Sequence, residues 1–341
     1  KSTTCPAREP HHRCGNPDDF PRWINREPIP EGPGFTITPM DPNYTGIIPP
    51  MITPLTDRDT LDHEGLERLI ERMISGNVSG IFALGTTGEA PSLSYRLRRE
   101  LIEKTCKFVN GRIPVLVGIT DTSLVESANL AKQSADLGAD AVVTSAPFYF
   151  PAGQPELQEY IEQLLPELPL PLMLYNMPAL TKTSFSGQVV AWAMERESIV
   201  GLKDSSGNLT YFKQMVRLGK ERRPDWSFLV GPEEVLGEVV LMGGHGGVNG
   251  GANLHPQLYV DLFDAATTGD LPRVRELSAR VLALSSALYS VGQYGSAIIK
   301  GLKCALSIVG VCDDFMAAPF HRFHESERAV IAQILEEQNI R

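Results

Sequence analysis

The pattern of hydrophobic and polar positions changes its period regularly along residues 46 to 267. Short apolar runs alternate with longer stretches in which apolar residues recur every three or four positions. In the stretch LDHEGLERLIERMI, for example, Leu66, Leu69, Ile70 and Ile74 share one face of a helix. The short runs therefore predict buried strands, and the longer stretches predict amphipathic helices.

The strands and helices predicted in this way alternate as eight units. The strands are Gly46–Thr53, Gly80–Leu84, Pro114–Ile119, Ala141–Ser145, Pro171–Asn176, Val200–Lys203, Ser227–Val230 and Gly246–Asn249. The helices lie near 62–76, 94–109, 123–137, 156–165, 187–195, 208–219, 234–242 and 256–267. Eight such units are typical of a (β/α)8 barrel. A doubly wound sheet is the main alternative, but no GxGxxG motif follows the first strand.

Two further regions flank the predicted barrel, which we place at residues 45–268. Residues 1–44 are rich in proline, glycine and charge and show no sustained period, so they predict an irregular N-terminal extension. Residues 269–341 contain amphipathic segments and predict a C-terminal helical appendage.

Composition and charge limit the kinds of molecule that the protein is expected to bind. The chain has 341 residues, of which 42% are hydrophobic and 21% charged, as in an ordinary globular protein. Its formal net charge is −10 and it has no run of Lys or Arg, which argues against a nucleic-acid or anionic-membrane surface. No apolar run approaches the ~20 residues of a membrane span. An anionic small substrate is still compatible with this charge, because a site can be locally positive.

Cysteine and histidine usage predicts neither disulfides nor a metal. The cysteines are Cys5, Cys14, Cys106, Cys304 and Cys312. No CxxC motif occurs among them, which favours reduced thiols and a cytoplasmic protein. His11, His12 and Cys14 could bind a metal, but no second ligand pair has suitable spacing.

A lysine at the end of the sixth strand is the first candidate for chemistry, because active-site residues of such barrels lie at the C-terminal strand ends. Lys203 ends the apolar run that precedes the stretch KDSSG. A buried, unpaired ammonium is costly, so this lysine is either salt-bridged or reactive. Desolvation would lower its pKa and yield a free amine, which can attack a ketone to form a Schiff base. Lys300 and Lys303 are rival amines that we expect to be solvated or snorkelling on a later helix.

Hydroxyl and aromatic side chains end other strands. Tyr175 ends the fifth strand and could meet Lys203 and shuttle protons, although a plain core tyrosine is the alternative. Thr86 and Thr87, in a glycine-flanked turn after the second strand, could hold a carboxylate. The aromatic cluster at 148–150, after the fourth strand, alone favours simple loop packing.

The last two strand ends are rich in carboxylates and glycines. Glu233 and Glu234 open a helix, where acids suit the helix dipole, but they could also bind substrate hydroxyls. The glycine-rich stretch at 243–253 allows backbone to line a ligand closely. His245 and His255 lack metal-ligand partners, and we expect them to be hydrogen-bonded or at the surface.

Five of these motifs together resemble the dihydrodipicolinate synthase / N-acetylneuraminate lyase family. They are GTTGE (85–89), PFYF (147–150), YNMP (175–178), GLKDSSG (201–207) and GGHGGVNGGAN (243–253). The resemblance covers about 46 to 310 and leaves the N-terminal extension outside. It implies a (β/α)8 barrel with C-terminal helices and a class I, pyruvate-dependent aldolase or lyase. It further implies no cofactor beyond the covalent imine, and a homotetramer built as a dimer of dimers.

The resemblance also implies roles for the residues that react. Lys203 would form the imine with pyruvate, and Tyr175 would relay protons. Thr86 and Thr87 would hold the pyruvate carboxylate, with Thr86 joining the relay. Tyr149 matches a tyrosine that, in many members, crosses a tight dimer interface to complete that relay.

The remaining roles concern substrate binding. Val248 would line the pyruvate site with its backbone carbonyl, and Ser205 would present a hydroxyl beside the lysine. Glu233 and Glu234 would correspond to an acidic pair that contacts sugar hydroxyls. Gly250 stands where a serine hydroxyl would be expected.

The resemblance leaves the second substrate, an aldehyde, open. At this point of the chain, dihydrodipicolinate synthases have a pattern similar to YNxPxRT, in which the arginine binds a carboxylate of the second substrate. This chain has Leu180 at the position of that arginine. The motifs favour an N-acetylneuraminate-lyase-like enzyme or a 2-keto-3-deoxy sugar acid aldolase. The alternatives are 4-hydroxy-tetrahydrodipicolinate synthase, an imine-dependent dehydratase and a non-catalytic barrel homologue. A metal-dependent aldolase would need clustered ligands at the strand ends, and the sequence shows none.

Overall fold

A parallel eight-stranded sheet forms the centre of the molecule. The structure, a computed structural model, describes residues 44–341. The extension predicted at 1–44, apart from its last residue, and the metal ligands considered at His11, His12 and Cys14 lie outside the described residues.

The strands of the barrel and of a small hairpin follow one another along the chain. They are β1 (Gly46–Ile47), β2 (Leu55–Asp57), β3 (Thr60–Leu61), β4 (Ile81–Ala83), β5 (Val115–Gly118), β6 (Ala141–Ser145), β7 (Leu172–Asn176), β8 (Ile199–Asp204), β9 (Ser227–Val230) and β10 (Gly246–Gly247). The large sheet has the order β1-β10-β9-β8-β7-β6-β5-β4, and every neighbouring pair is parallel. A bridge between Pro50 and Phe82 brings the chain after β1 against β4 and closes the ring. The predicted (β/α)8 barrel is confirmed.

The helices alternate with these strands and then continue alone. They are α1 (His63–Ser75), α2 (Tyr95–Val109), α3 (Leu124–Asp136), α4 (Gln154–Leu164), α5 (Pro178–Thr181), α6 (Gly187–Ala193), α7 (Leu209–Arg222), α8 (Leu236–Leu241), α9 (Pro256–Thr268), α10 (Leu271–Tyr289), α11 (Ala297–Ile308) and α12 (Glu325–Glu337). Many begin where a short polar side chain accepts a hydrogen bond from an N–H of the first turn, as Ser94 does for α2. Helix α9 ends at Thr268 and α10 begins at Leu271, and the division between barrel and appendage at 268/269 stays a prediction.

The core has two parts that leave one end of the barrel for ligands. Inside the ring, Ile48, Phe82, Met173 and Leu229 belong to one buried apolar cluster. A larger cluster fills the space between the strands and the surrounding helices. Because the interior is filled by side chains, open space lies at the C-terminal strand ends.

No helix among residues 44–341 is both long and apolar enough to cross a bilayer.

Candidate active site

Lys203 and Tyr175 face each other across neighbouring strands inside the barrel mouth. They are register partners in the β7–β8 ladder. The Lys203 side chain is buried, and its Nζ lies 4.0 Å from the ring centroid of Tyr175 and 4.8 Å from that of Phe82. The predicted meeting of lysine and tyrosine is therefore present in the structure.

Burial lowers the pKa of the Lys203 ammonium, and interaction with the Tyr175 hydroxyl opposes this shift in part. Among the described residues, no carboxylate forms a salt bridge with Lys203. The amine is therefore neutral at a lower pH than an ordinary lysine, which makes it a better nucleophile at neutral pH.

A second pair of register partners stands on the outer face of the same two strands. Asn176 Nδ2 donates a hydrogen bond of 2.7 Å to Asp204 Oδ1, and Asn176 Oδ1 accepts one of 3.1 Å from the Phe185 N–H. Asp204 Oδ2 also accepts a bond of 3.0 Å from Ser206 Oγ. Asp204 thus points away from Lys203, as the period of two along a strand predicts. These bonds fix the relative position of the two strand ends.

The threonine loop, residues 85–89, follows β4 and reaches Tyr175. Thr86 Oγ1 lies 3.3 Å from the Tyr175 hydroxyl. The loop is a tight turn in which the Glu89 N–H donates to the Thr86 carbonyl at 3.0 Å. On its other side, Thr53 Oγ1 donates to the Gly88 carbonyl at 2.7 Å. The hydroxyl of Thr86 is therefore part of the same polar group as Tyr175 and Lys203.

A cavity of about 230 Å³ opens beside these residues. Its walls come from the ends of β4 to β7 and from the loops that follow them. Its apolar lining includes Phe82, Leu84, Pro91, Val143, Phe148, Met177 and Leu180, and its hydroxyl lining consists of Thr86, Thr120, Ser145, Tyr175 and Thr181. No charged side chain is among the described residues that line it.

Thr120 and Ser145 also line the cavity, although no sequence motif singles them out. Thr120 Oγ1 accepts a hydrogen bond of 2.9 Å from the Ser145 N–H, which joins the ends of the third and fourth barrel strands. Each of these hydroxyl residues follows or ends an apolar strand run, as Lys203 and Tyr175 do. Their position at the C-terminal ends of strands is therefore the sequence feature that could have identified them as residues of the site.

Tyr149 is not brought to this group within the chain. Its side chain is 84% exposed and packs edge-on against Phe150, with ring centroids 5.1 Å apart. Its φ of +82° lies in the left-handed region, which is unusual for a tyrosine. The predicted relay role of Tyr149 therefore depends on a second copy of the chain.

The predicted substrate-binding residues Ser205, Val248, Glu233 and Glu234 lie outside the lining of the cavity, and so does Thr87. Glu233 is buried, and its Oε1 accepts hydrogen bonds from the hydroxyls of Tyr259 at 2.7 Å and Tyr289 at 3.1 Å. Its Oε2 accepts one from the Gly251 N–H at 2.8 Å. Burial raises the pKa of Glu233 to about 7. The carboxyl therefore holds the glycine-rich stretch after Val248 in place.

The expectation that Lys300 and Lys303 are solvated or snorkelling is wrong for Lys303. Lys300 is 9% exposed, and the side chain of Lys303 is fully buried on α11. Lys303 Nζ lies 2.5 Å from Glu89 Oε1. The amphipathic pattern of α11 gave no sign of this contact, because its partner belongs to a loop distant in sequence.

Among residues 44–341, no group of three or more His, Cys, Asp and Glu side chains could hold a metal ion. His245 Nδ1 accepts a hydrogen bond of 2.9 Å from the Phe228 N–H, as expected for a hydrogen-bonded histidine.

Comparison with known proteins gives consistent matches. A model of the dihydrodipicolinate synthetase family matches residues 43–338. The probable 2-dehydro-3-deoxy-D-pentonate aldolase YjhH of Escherichia coli K12 is 30% identical over 299 residues, which cover 87% of this chain and 98% of that protein.

Two solved structures extend the comparison. Dihydrodipicolinate synthase from Bacteroides thetaiotaomicron is 54% identical with a TM-score of 0.85, covering 87% of this chain and all of that one. The second is YagE of Escherichia coli K12, a prophage protein of the dihydrodipicolinic acid synthase family, in complex with pyruvate. It is 28% identical with a TM-score of 0.83, and the match covers 88% of this chain and 100% of that one.

Proposed function

The chain belongs to the dihydrodipicolinate synthetase family, and from this we propose that it is a pyruvate-dependent, Schiff-base-forming aldolase or lyase. It would cleave or form a C–C bond of a 2-oxo acid. The buried Lys203 beside Tyr175, without a carboxylate partner among the described residues, is the observation that carries the proposal. Aldolases and synthases among the relatives, and the pyruvate bound to YagE, support it.

The proposed reaction begins at the Lys203 amine. Its lone pair attacks the ketone carbon of pyruvate, and loss of water leaves a protonated imine. That imine accepts the electron pair released when a C3 proton leaves or when the adjacent C–C bond breaks. No cofactor beyond this covalent imine is needed.

Tyr175 and the threonine loop serve the same sequence of steps. The Tyr175 hydroxyl, which interacts with Lys203 and lies near Thr86 Oγ1, would deliver and accept the protons. Thr86 and Thr87 would bind the pyruvate carboxylate through hydroxyl and amide groups. Ser205, directly after β8, and Val248, directly after β10, would complete the pyruvate site.

The cavity favours an uncharged, hydroxylated aldehyde as the second substrate. A 2-keto-3-deoxy sugar acid would place its hydroxylated tail near Thr120 and Ser145. Leu180 lines the cavity at the position where an arginine would hold a second carboxylate. Glu233 could reach sugar hydroxyls only if its bonds to Tyr259 and Tyr289 rearranged. Glu234 would be the second member of the acidic pair.

The alternative, 4-hydroxy-tetrahydrodipicolinate synthase, has its own support. The relative that is 54% identical carries the name dihydrodipicolinate synthase. That reaction would use an aldehyde with a carboxylate, for which the described lining offers no cation. An imine-dependent dehydratase would use the same amine, whereas a non-catalytic homologue would not.

We further propose a homotetramer in which Tyr149 completes the relay of a neighbouring copy. Tyr149 and Phe150 are 84% and 79% exposed beside Phe148, which lines the cavity. Two adjacent exposed aromatic rings are typical of an interface rather than of a free surface.

Borohydride reduction in the presence of pyruvate tests the central claim. Mass spectrometry should detect a pyruvate-sized adduct on the wild type and none on Lys203→Ala. Lys213→Ala, which changes an exposed lysine on α7, is the matched control and should keep the adduct. If the wild type forms no adduct, the proposal is wrong.

An aldehyde screen separates the main function from its alternative. Uncharged hydroxyaldehydes should react faster than aspartate semialdehyde. Leu180→Arg should improve the use of aspartate semialdehyde by roughly 10-fold, because it adds a charge-assisted contact. Leu180→Gln, of similar size but uncharged, should not. A wild type that prefers aspartate semialdehyde would favour the synthase instead.

A further inference from the structure

We propose that Glu89 and Lys303 form a positioning pair that sets the affinity of the threonine loop for the carboxylate of the 2-oxo acid. The C-terminal helices would then take part in substrate binding through one buried ion pair. The inference rests on the proposed function, because it takes Thr86 and Thr87 as the ligands of that carboxylate.

The pair joins three separate parts of the chain. Lys303 Nζ on α11 lies 2.5 Å from Glu89 Oε1 and donates a hydrogen bond of 2.7 Å to the Phe315 carbonyl. Glu89 Oε2 accepts a bond of 2.9 Å from the Ala317 N–H. The side chains of Lys303 and Glu89 are 0% and 3% exposed. Both charges are therefore committed to contacts inside the protein.

The threonine loop connects the Glu89–Lys303 pair to the residues proposed to bind the carboxylate. The Glu89 N–H donates to the Thr86 carbonyl, so the two residues belong to one closed turn. Thr86 in turn contacts the Tyr175 hydroxyl. A displacement of the Glu89 carboxylate would therefore move the Thr86 hydroxyl relative to Tyr175.

The backbone at Glu89 gives a reason for the strong anchor. Its φ is +56°, in the left-handed region, which is unfavourable for a residue with a side chain. The 3-10 turn Ala90–Ser92 begins directly after it. A turn with such a backbone conformation persists only when contacts with the surrounding structure hold it in place. The buried Glu89 carboxylate provides those contacts.

Stability alone does not account for the pair. A buried ion pair is often no more stabilising than well-packed neutral side chains of similar volume, since both charges must leave water. Leu93, shortly after Glu89, and Met316 and Ala317, beside the backbone groups that the pair contacts, are buried. Neutral side chains could therefore fill this region, but they would not hold the turn to Phe315 and Ala317 by charge.

The test compares Glu89→Gln, Lys303→Met and the double variant with the wild type. Glu167→Gln, which breaks the exposed Lys132–Glu167 pair, is the matched control. Two quantities are measured on the full chain. They are the thermal midpoint and the pyruvate concentration that gives half-maximal borohydride trapping.

Each single variant should lower the thermal midpoint, because it leaves one buried charge unpaired. Each should raise the half-saturating pyruvate concentration by roughly 10-fold, with a maximal trapping rate within about threefold of the wild type. The double variant should recover most of the thermal midpoint and still need roughly fivefold more pyruvate. The control should match the wild type in both.

Two outcomes would overturn the proposal. One is a double variant with the half-saturation of the wild type, and the other is a half-saturation that merely follows the thermal midpoint across the series. Either would reduce the pair to a structural contact.

Failure of the proposed function is distinguishable from failure of this inference. If the wild type forms no borohydride-trapped adduct, the imine chemistry is refuted. The positioning role of the pair is then tested by measuring hydrogen exchange of peptides that cover residues 85–93. Faster exchange in the double variant at a recovered thermal midpoint would support the positioning role. Unchanged exchange would refute it.

Discussion

Lys203 and Lys303 are both buried, yet their surroundings differ in one respect. Lys203 lies against the rings of Tyr175 and Phe82 with no salt-bridge partner among the described residues, whereas Lys303 contacts the Glu89 carboxylate. Burial lowers the pKa of both ammonium groups, and at Lys303 the negative charge of Glu89 opposes the shift. The comparison teaches that burial alone does not distinguish the two lysines. The absence of a counter-charge at Lys203 does, and it is the reason for proposing that this amine reacts.

The largest expected difference is in activity. Lys203→Met should abolish the borohydride-trapped adduct, because the proposed imine forms on this amine. Lys303→Met should keep the maximal trapping rate within about threefold. Single-turnover trapping at saturating pyruvate measures both. An adduct that survives Lys203→Met and is lost in Lys303→Met would reverse the assignment.

The free energy of unfolding should fall on substitution of Lys303 but not on substitution of Lys203. Lys303→Met leaves the Glu89 carboxylate buried without its partner and should lower the free energy of unfolding by about 3–5 kcal/mol. Lys203→Met removes an ammonium that has no counter-charge, so the free energy of unfolding should stay level or rise. Urea unfolding at pH 7 measures both. Equal losses in the two variants would contradict the comparison.

The phenol beside Lys203 should matter to the rate and little to the fold. Tyr175→Phe should slow the chemical step about 100-fold, because it removes the proposed proton carrier. Tyr160→Phe, which removes a half-buried hydroxyl near Ser127, is the control and should leave the rate unchanged. Single-turnover kinetics at saturating substrates decide the point. Equal rates in the two variants would exclude Tyr175 from proton transfer.

The smallest expected effect is the pH dependence of stability. The pKa of Lys203 is lower in the folded protein than its ordinary value of about 10.5, so the folded state prefers the neutral amine. Between the folded pKa and about 10.5, the unfolded chain binds more protons, and stability rises with pH. The gain of Lys203→Met over the wild type should therefore shrink from pH 7 to 9.5 in urea titrations. A gain that grows with pH would contradict the lowered pKa.

Most of the barrel follows from local sequence pattern. The predicted strands Ala141–Ser145 and Ser227–Val230 coincide with β6 and β9, because uniform apolar runs end there at polar or glycine residues. The first strand was predicted as Gly46–Thr53 but ends at Ile47. Pro49 and Pro50 lack the N–H groups that a regular ladder requires. The β2–β3 hairpin was not predicted, since its strands are too short for a period to be visible.

The site was predictable where one strand decides the direction of a side chain. Lys203 and Tyr175 share the inner face because side chains alternate along β8 and β7. The burial of Lys303 depends on a contact between α11 and a distant loop, and no local pattern encodes such a contact. The same holds for Glu233, whose partner Tyr289 comes from α10.

The bond between Asn176 and Asp204 has a consequence for how such an enzyme can diversify. The segment that carries Met177, Leu180 and Thr181 begins directly after Asn176 and forms one wall of the cavity. Because Asn176 is tied to Asp204 and to the Phe185 backbone, both ends of that segment are fixed independently of what it contains. Substitutions within it can therefore reshape the cavity wall without moving Lys203 or Tyr175. Under the proposed function, substrate choice could then change while the reacting groups stay in place.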